Sequence, residues 1–168
     1  MANTLYDALF QRYQGQESAF ITLPDGAVLS HGAFVGMAAQ FAHVLGHLGL
    51  QPGDRLAVQI AKSPQALAVY AACVQAGVIF LPLNTAYTAA EVAYFVENSG
   101  AKLLICDSAN ASTLLPVAQA AGAQLEVLNG NGTGSFADLA AGQPKEFATV
   151  PRQPDDLAAF LYTSGTTG

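Results

Sequence analysis

The chain has 168 residues, 52% of them hydrophobic and only 11% charged, with a formal net charge of −6. A domain of this length has chain enough for a real core and typically buries roughly 70% of the surface its unfolded form exposes. The six cations Arg12, Arg55, Lys62, Lys102, Lys145 and Arg152 are scattered, so no basic stripe exists to displace phosphate counterions, and nucleic acid is excluded as a partner.

At the amino terminus, Met-Ala-Asn-Thr-Leu has no basic segment ahead of an apolar run. Nor does any stretch reach the ~20 apolar residues of a membrane span, so the expectation is a soluble, cytoplasmic protein with no membrane partner. Thr4 is placed to cap a helix running to about Gln14, with Leu5, Leu9 and Tyr13 on one face. Ala19 to Leu23 and Ala27 to Ser30 flank Pro24-Asp25-Gly26, which has the chemistry of a hairpin turn. Ser30 caps a second helix whose apolar positions Phe34, Met37, Ala38, Phe41, Leu45 and Leu48 follow helical spacing until Gly49.

From Arg55 the pattern alternates. Arg55 to Ile60 reads as a strand, Ser63-Pro64 as the start of a helix through Ala76, and Val78 to Leu81 as the next strand after Gly77. Thr88-Ala89-Ala90-Glu91 is a capping box for a helix to about Asn98, and Leu103 to Cys106 is a strand. Ala111 to Ala121 then reads as helix and Leu125 to Leu128 as strand. Such alternation implies an α/β fold: a mostly parallel sheet with helices on both faces.

The segment Asn129-Gly130-Asn131-Gly132-Thr133-Gly134-Ser135 reads as a loop, since its glycine spacing is not that of a dinucleotide cradle. Gly142 to Pro154 is a second polar connection. Leu157 to Tyr162 is a continuous apolar run, the signature of a central strand buried on both faces. The chain then ends on Thr163-Ser164-Gly165-Thr166-Thr167-Gly168, where small residues let backbone amides converge on an anion and hydroxyls add donors. The glycines are three apart with no Lys following, so this is not the nucleotide-triphosphatase loop.

Other chemistry-bearing residues read as structural. His43 and His47 lie four apart on one helix with no third ligand evident, so no metal site is expected there. His31 follows a cap and is expected at the surface. Lys62-Ser63-Pro64 is a cap with a solvated lysine in preference to an anion site, and Pro82 and Asn84 shape a strand exit. Tyr87 is a minor candidate for lining a pocket, while Cys73 and Cys106 read as reduced core thiols.

Two blocks carry a family resemblance. Tyr162 to Gly168 resembles the first half of the phosphate-loop signature of the adenylate-forming acyl-CoA synthetase and ligase superfamily, in which a lysine-bearing segment normally follows. Tyr70 to Asn84, ending in Ala76-Gly77 and then Leu81-Pro82-Leu83-Asn84, is similar to that superfamily's helix, Ala-Gly, strand, Pro-Leu-Asn block. Within it, Pro52 to Gln59, Lys62-Ser63, Leu81 to Thr88 and Asp155 to Ala159 most resemble the bacterial malonyl-CoA synthetases.

The resemblance implies a partial amino-terminal AMP-binding domain over residues 1–168, cut within its phosphate loop and lacking the carboxyl-terminal domain. It implies that Thr163, Ser164, Gly165, Thr166, Thr167 and Gly168 contact the β- and γ-phosphates of ATP, with no catalytic residue in this stretch. The implied reactants of the complete enzyme are ATP, Mg2+, coenzyme A and a carboxylic acid, malonate first, and the isolated 168-residue piece is expected to be inactive. Three alternatives stay open: another acyl or aryl acid–CoA ligase, a self-sufficient nucleotide-binding domain, and a non-catalytic interaction module if the natural chain stops at Gly168. The low charge content, against roughly 25% in ordinary domains, fits either apolar faces that pack on missing sequence or on another subunit, or an alanine-rich chain. Unpaired strand edges would allow self-association.

Overall fold

The computed structural model describes residues 3–162. Helix α1 (Thr4–Leu9) is capped by Asn3 rather than Thr4: Asn3 Oδ1 accepts the Tyr6 amide at 3.0 Å. The same side chain is buried and donates to the carbonyls of Val74 and Val150 at 2.8 and 3.0 Å, which anchors the helix start to the body of the protein. The single helix expected to reach Gln14 breaks after Leu9, and Gln11–Tyr13 form a separate 3-10 turn. Tyr6 and Phe10 face the core while Leu9 is 42% exposed, so the face inferred from Leu5, Leu9 and Tyr13 is rotated.

Strands β1 (Ala19–Thr22) and β2 (Val28–Ser30) form the expected antiparallel hairpin, with Gly26 at φ +86° in its turn. Helix α2 (His31–His47) starts on Ser30, whose Oγ accepts the Ala33 amide at 3.2 Å. β3 (Arg55–Gln59) leads to α3 (Pro64–Ala76), capped by Ser63 and ended by Gly77 at φ +73°. β4 (Ile79–Pro82) precedes α4 (Ala89–Ser99), where Thr88 and Glu91 close both halves of the capping box. β5 (Leu103–Cys106) follows, then α5 (Ser108–Ala120), which begins earlier than Ala111 because Asp107 occupies the extended cap position. β6 (Gln124–Val127) leads to α6 (Ser135–Ala140), a short helix that the glycine-rich stretch before it conceals.

The strands β4-β3-β5-β6 form one sheet in that order, and every pairing in it is parallel. Alternate residues divide between two cores. Leu56, Val58, Leu103 and Ile105 point into a core shared with α1, α2, α3 and α6. Ala57, Leu81, Leu104 and Cys106 point into a second core under α4 and α5. The fold is thus the α/β sandwich expected, with helices on both faces. Cys73 lies in the first core and Cys106 in the second, and both thiols are free and buried.

Residues 142–154 contain no helix or strand, yet they are held as a strap across the first face. Gln40 Nε2 donates to the Gln143 carbonyl at 2.9 Å, and the Val150 amide donates to the Gln75 carbonyl at 2.9 Å. The central strand expected at Leu157–Tyr162 does not form. The run touches the sheet through one parallel bridge, Phe80 to Ala159, and Leu157 and Leu161 are 54% and 75% exposed. It lies outside β4 and pairs on one side alone among the described residues, so its apolar sequence is half-covered rather than buried on both faces. No helix of the described residues is long and apolar enough to cross a membrane.

Candidate functional site

In open parallel sheets ligands bind beyond the carboxyl ends of the strands. Here that rim is stitched together by side chains, in the order of the strands. Gln59, at the end of β3, is buried and donates through Nε2 to the carbonyls of Asn84 and Tyr87 at 2.9 and 3.1 Å, fixing the loop after β4. Asp107, after β5, accepts the Ala61 amide through Oδ2 at 3.1 Å, fixing the loop after β3. Asn129, after β6, accepts the Ser108 amide at 2.9 Å, fixing the start of α5. Each neighbouring pair of strand ends therefore shares a hydrogen bond that the sheet ladder does not supply, which keeps the rim rigid.

The segment 157–162, paired outside β4, joins this rim. Because Ala159 pairs in parallel with Phe80, Tyr162 reaches the carboxyl end of the sheet beside Leu83. Its hydroxyl donates to Asn98 Oδ1 on α4 at 2.6 Å, and its ring lies 4.6 Å from Phe95 and 6.4 Å from Tyr94. Partial burial, with the neighbouring Tyr94 hydroxyl, raises the Tyr162 phenol above its ordinary pKa. The run Thr163, Ser164, Gly165, Thr166, Thr167 and Gly168 lies outside the described residues.

A groove of about 460 Å³ opens at this end, with Val58, Ile60 and Phe80 as its apolar floor and Lys62, Asn84 and Thr85 at its polar margin. A second cavity of about 350 Å³, bounded by Thr4, Leu5, Gly77 and Leu157, sits beside the start of β4 and so at the opposite end of the sheet.

The remaining residues singled out in the sequence fall into place around the rim. Lys62 is exposed and Ser63 spends its Oγ on the Ala66 amide at 3.1 Å, so this pair is a cap with a solvated lysine. Asn84 Oδ1 accepts the Ala86 amide at 2.9 Å, which shapes the exit from β4. Tyr87 packs its ring 5.0 Å from Phe95 and does not line the groove. Gly130, Gly132 and Gly134 belong to a loop closed on itself, with the Asn129 amide bonded to the Thr133 carbonyl at 2.8 Å.

His43 and His47 are not brought together with a third ligand. Nε2 of His43 lies 2.8 Å from the Glu146 carbonyl, which can only accept, so that nitrogen carries the hydrogen and ties the strap to α2. His31 is not a free surface residue: its ring is stacked 4.4 Å from Tyr13 and packs 4.7 Å from Phe20. Among the described residues no three His, Cys, Asp or Glu side chains are grouped to hold a metal ion. Burial pushes the Cys73 thiol far up, and burial with the adjacent Asp107 carboxylate pushes Cys106 up to about 11, so neither is a nucleophile near neutrality.

Sequence reading missed Gln59, Asp107, Asn129 and Asn98, although polar side chains at or just past the ends of apolar strands are a signal for the first three. Asn98 gave none, because its partner lies 64 residues away.

Comparison with known proteins matches this geometry to one family. The profile described as AMP-binding enzyme matches residues 9–168. The ATP-bound crystal structure of MatB from Rhodopseudomonas palustris superposes with a TM-score of 0.93 at 43% identity, covering 100% of this chain and 33% of that one. Feruloyl-CoA synthase of an Amycolatopsis species is 34% identical over 143 residues, 85% of this chain and 27% of the relative. The 3-hydroxybenzoate–CoA ligase of Aromatoleum sp. (strain CIB) is 28% identical over 144 residues, 83% and 28% respectively. The chain thus spans between about a quarter and a third of the length of these proteins.

Proposed function

The chain belongs to the AMP-binding enzyme family, and from that premise we propose that it supplies the amino-terminal part of the AMP-binding domain of an acid–CoA ligase. In this reading a carboxylate oxygen attacks the α-phosphorus of MgATP, the bond to the bridging oxygen breaks, and pyrophosphate leaves. The thiol sulfur of coenzyme A then attacks the carbonyl carbon of the acyl-adenylate, the thiol proton is lost, and AMP departs. Neither step needs a covalent protein nucleophile, which suits a stretch whose two thiols are buried and held protonated.

The residues Thr163 to Gly168 are proposed to hold the β- and γ-phosphates through backbone amides and hydroxyls, positioning the leaving group and stabilising its charge. The stitched rim supplies a platform that Tyr162, the residue before that run, reaches. Malonate is the proposed acid, on the sequence resemblance to malonyl-CoA synthetases and the 43% identity with MatB. A cytoplasmic location goes with these substrates. The observation that carries the reading is the family match, which extends through residue 168 and so includes the proposed phosphate run.

The test is a panel of malonate, ferulate, 3-hydroxybenzoate and a medium-chain fatty acid offered with MgATP and coenzyme A to the complete gene product. The reading expects AMP and an acyl-CoA, with malonate giving the highest kcat/KM. The feruloyl and hydroxybenzoyl relatives favour an aryl acid instead, and a preference for ferulate would replace malonate while keeping the ligase. The isolated 168-residue chain is expected to form no acyl-CoA.

A further inference from the structure

Resting on the ligase reading, we propose that Tyr94, Phe95 and Asn98 of α4 form a clasp that positions the phosphate-binding run by holding Tyr162. The last backbone hydrogen bond joining the terminal segment to the sheet among the described residues is from the Phe160 amide to the Phe80 carbonyl, at 3.0 Å. Past it, Leu161 is 75% exposed, and what fixes the chain is the side chain of Tyr162. That side chain is gripped twice, its ring against Phe95 at 4.6 Å and its hydroxyl on Asn98 at 2.6 Å.

Phe95 also packs against Tyr87, in the loop that Gln59 fixes through two carbonyls. One phenylalanine therefore ties the exit of the terminal run to the rigid rim. A phosphate cradle misplaced by about 1 Å loses much of its effect, because amides aimed at charge act through geometry. Tyr94, Phe95 and Asn98 are positioning residues, and their influence is expected on nucleotide use rather than on the acid.

The test uses the complete gene product with Tyr162→Ala, Tyr162→Phe, Phe95→Ala and the Tyr162→Ala/Phe95→Ala pair. Tyr162→Ala and Phe95→Ala each raise KM for ATP about tenfold. Tyr162→Phe, which keeps the ring and loses one hydrogen bond, raises it about threefold. KM for the acid stays within about twofold, and the double variant is no worse than the worse single one, since both break the same contact. Unchanged KM for ATP with a lower melting temperature, equal rises in both KM values, or additive effects would each overturn the clasp.

Amide hydrogen exchange over residues 157–168 separates this proposal from the ligase reading. MgATP is expected to slow exchange there in the wild type, and Phe95→Ala to speed it without nucleotide. Unaltered exchange in Phe95→Ala overturns the clasp whatever ATP does. Absent protection by MgATP in the wild type removes the phosphate site, and the proposal falls with it.

Discussion

The two faces of the sheet are built differently. The first carries α1, α2, α3 and α6 and a large aromatic core that includes Tyr6, Phe34, Phe41 and Phe136. The second carries α4 and α5 over a smaller, mainly aliphatic core of Val92, Val96, Leu114 and Ala118, with its aromatic rings gathered at one edge as Tyr87, Phe95 and Tyr162. The difference separates two tasks: the first face provides most of the apolar burial that holds the fold, and the second holds Tyr162 at the sheet's edge.

The sharpest way to break this division is to compare one buried residue from each face. Phe136 is fully buried against Phe41, with ring centroids 5.1 Å apart, and Phe136→Ala is expected to cost about 3–5 kcal/mol. Val92 is equally buried on the second face, but Val92→Ala removes less apolar surface and is expected to cost about 2 kcal/mol. Urea denaturation measures both, and equal or reversed costs would refute the assignment of stability to the first face.

Two glycines extend the comparison. Gly134 enters α6 at φ +118°, and a Cβ there would strike the Val127 carbonyl, so Gly134→Ala is expected to cost about 2–3 kcal/mol. Gly122, after α5 on the second face, has φ +70° but open space around it, and Gly122→Ala should cost about 1 kcal/mol. Similar melting temperatures for the two variants would show that the contact with Val127 relaxes freely.

Between the faces, Lys102 Nζ lies 2.9 Å from Asp54 Oδ1 where β3 and β5 begin. Burial opposes ionisation of Asp54, but the Gln51 amide and the Lys102 ammonium outweigh it and hold the pKa below its ordinary value. A depressed folded pKa contributes stability that is full above the unfolded value, about 3.9, and lost as pH falls through the folded one. Asp54→Asn is therefore expected to be less stable than wild type at pH 7, with the gap closing below about pH 4. A gap that persists into acid would assign the loss to packing instead of charge.

The smallest effect concerns the thiols. Cys106, at about 11, should ionise before Cys73, which burial alone holds higher. In the native state neither is expected to react with an alkylating reagent at pH 8, and Cys106 should react first as pH rises. Reaction of Cys73 first would mean that the first face opens more readily than the second.

Much of this fold was legible because its punctuation is local. Ser30, Ser63-Pro64, Thr88 with Glu91, and Gly77 act within a few residues of themselves, and the helix and strand bounds they imply form to within about one residue. The misreadings share a nonlocal cause. Asn3 caps α1 while bonding carbonyls 71 and 147 residues away, and α6 is held by Phe136 packing on α2. The apolar run 157–162 looked central because composition records hydrophobicity and not how many neighbours a strand has. His31 was expected at the surface, but its two aromatic neighbours come from separate elements. The Ser/Thr/Gly run after Tyr162 could be recognised as a string of residues, whereas the contacts of Tyr162 with Phe95 and Asn98 on α4 could not.

The central claim, that this chain belongs to an enzyme activating a carboxylate as its adenylate, is tested most directly by isotope exchange between pyrophosphate and ATP. The complete gene product should catalyse that exchange with malonate present and coenzyme A absent, because the first half-reaction is complete and reversible without the thiol. Exchange that never depends on a carboxylic acid, or ADP and phosphate formed in place of AMP and pyrophosphate, would contradict it.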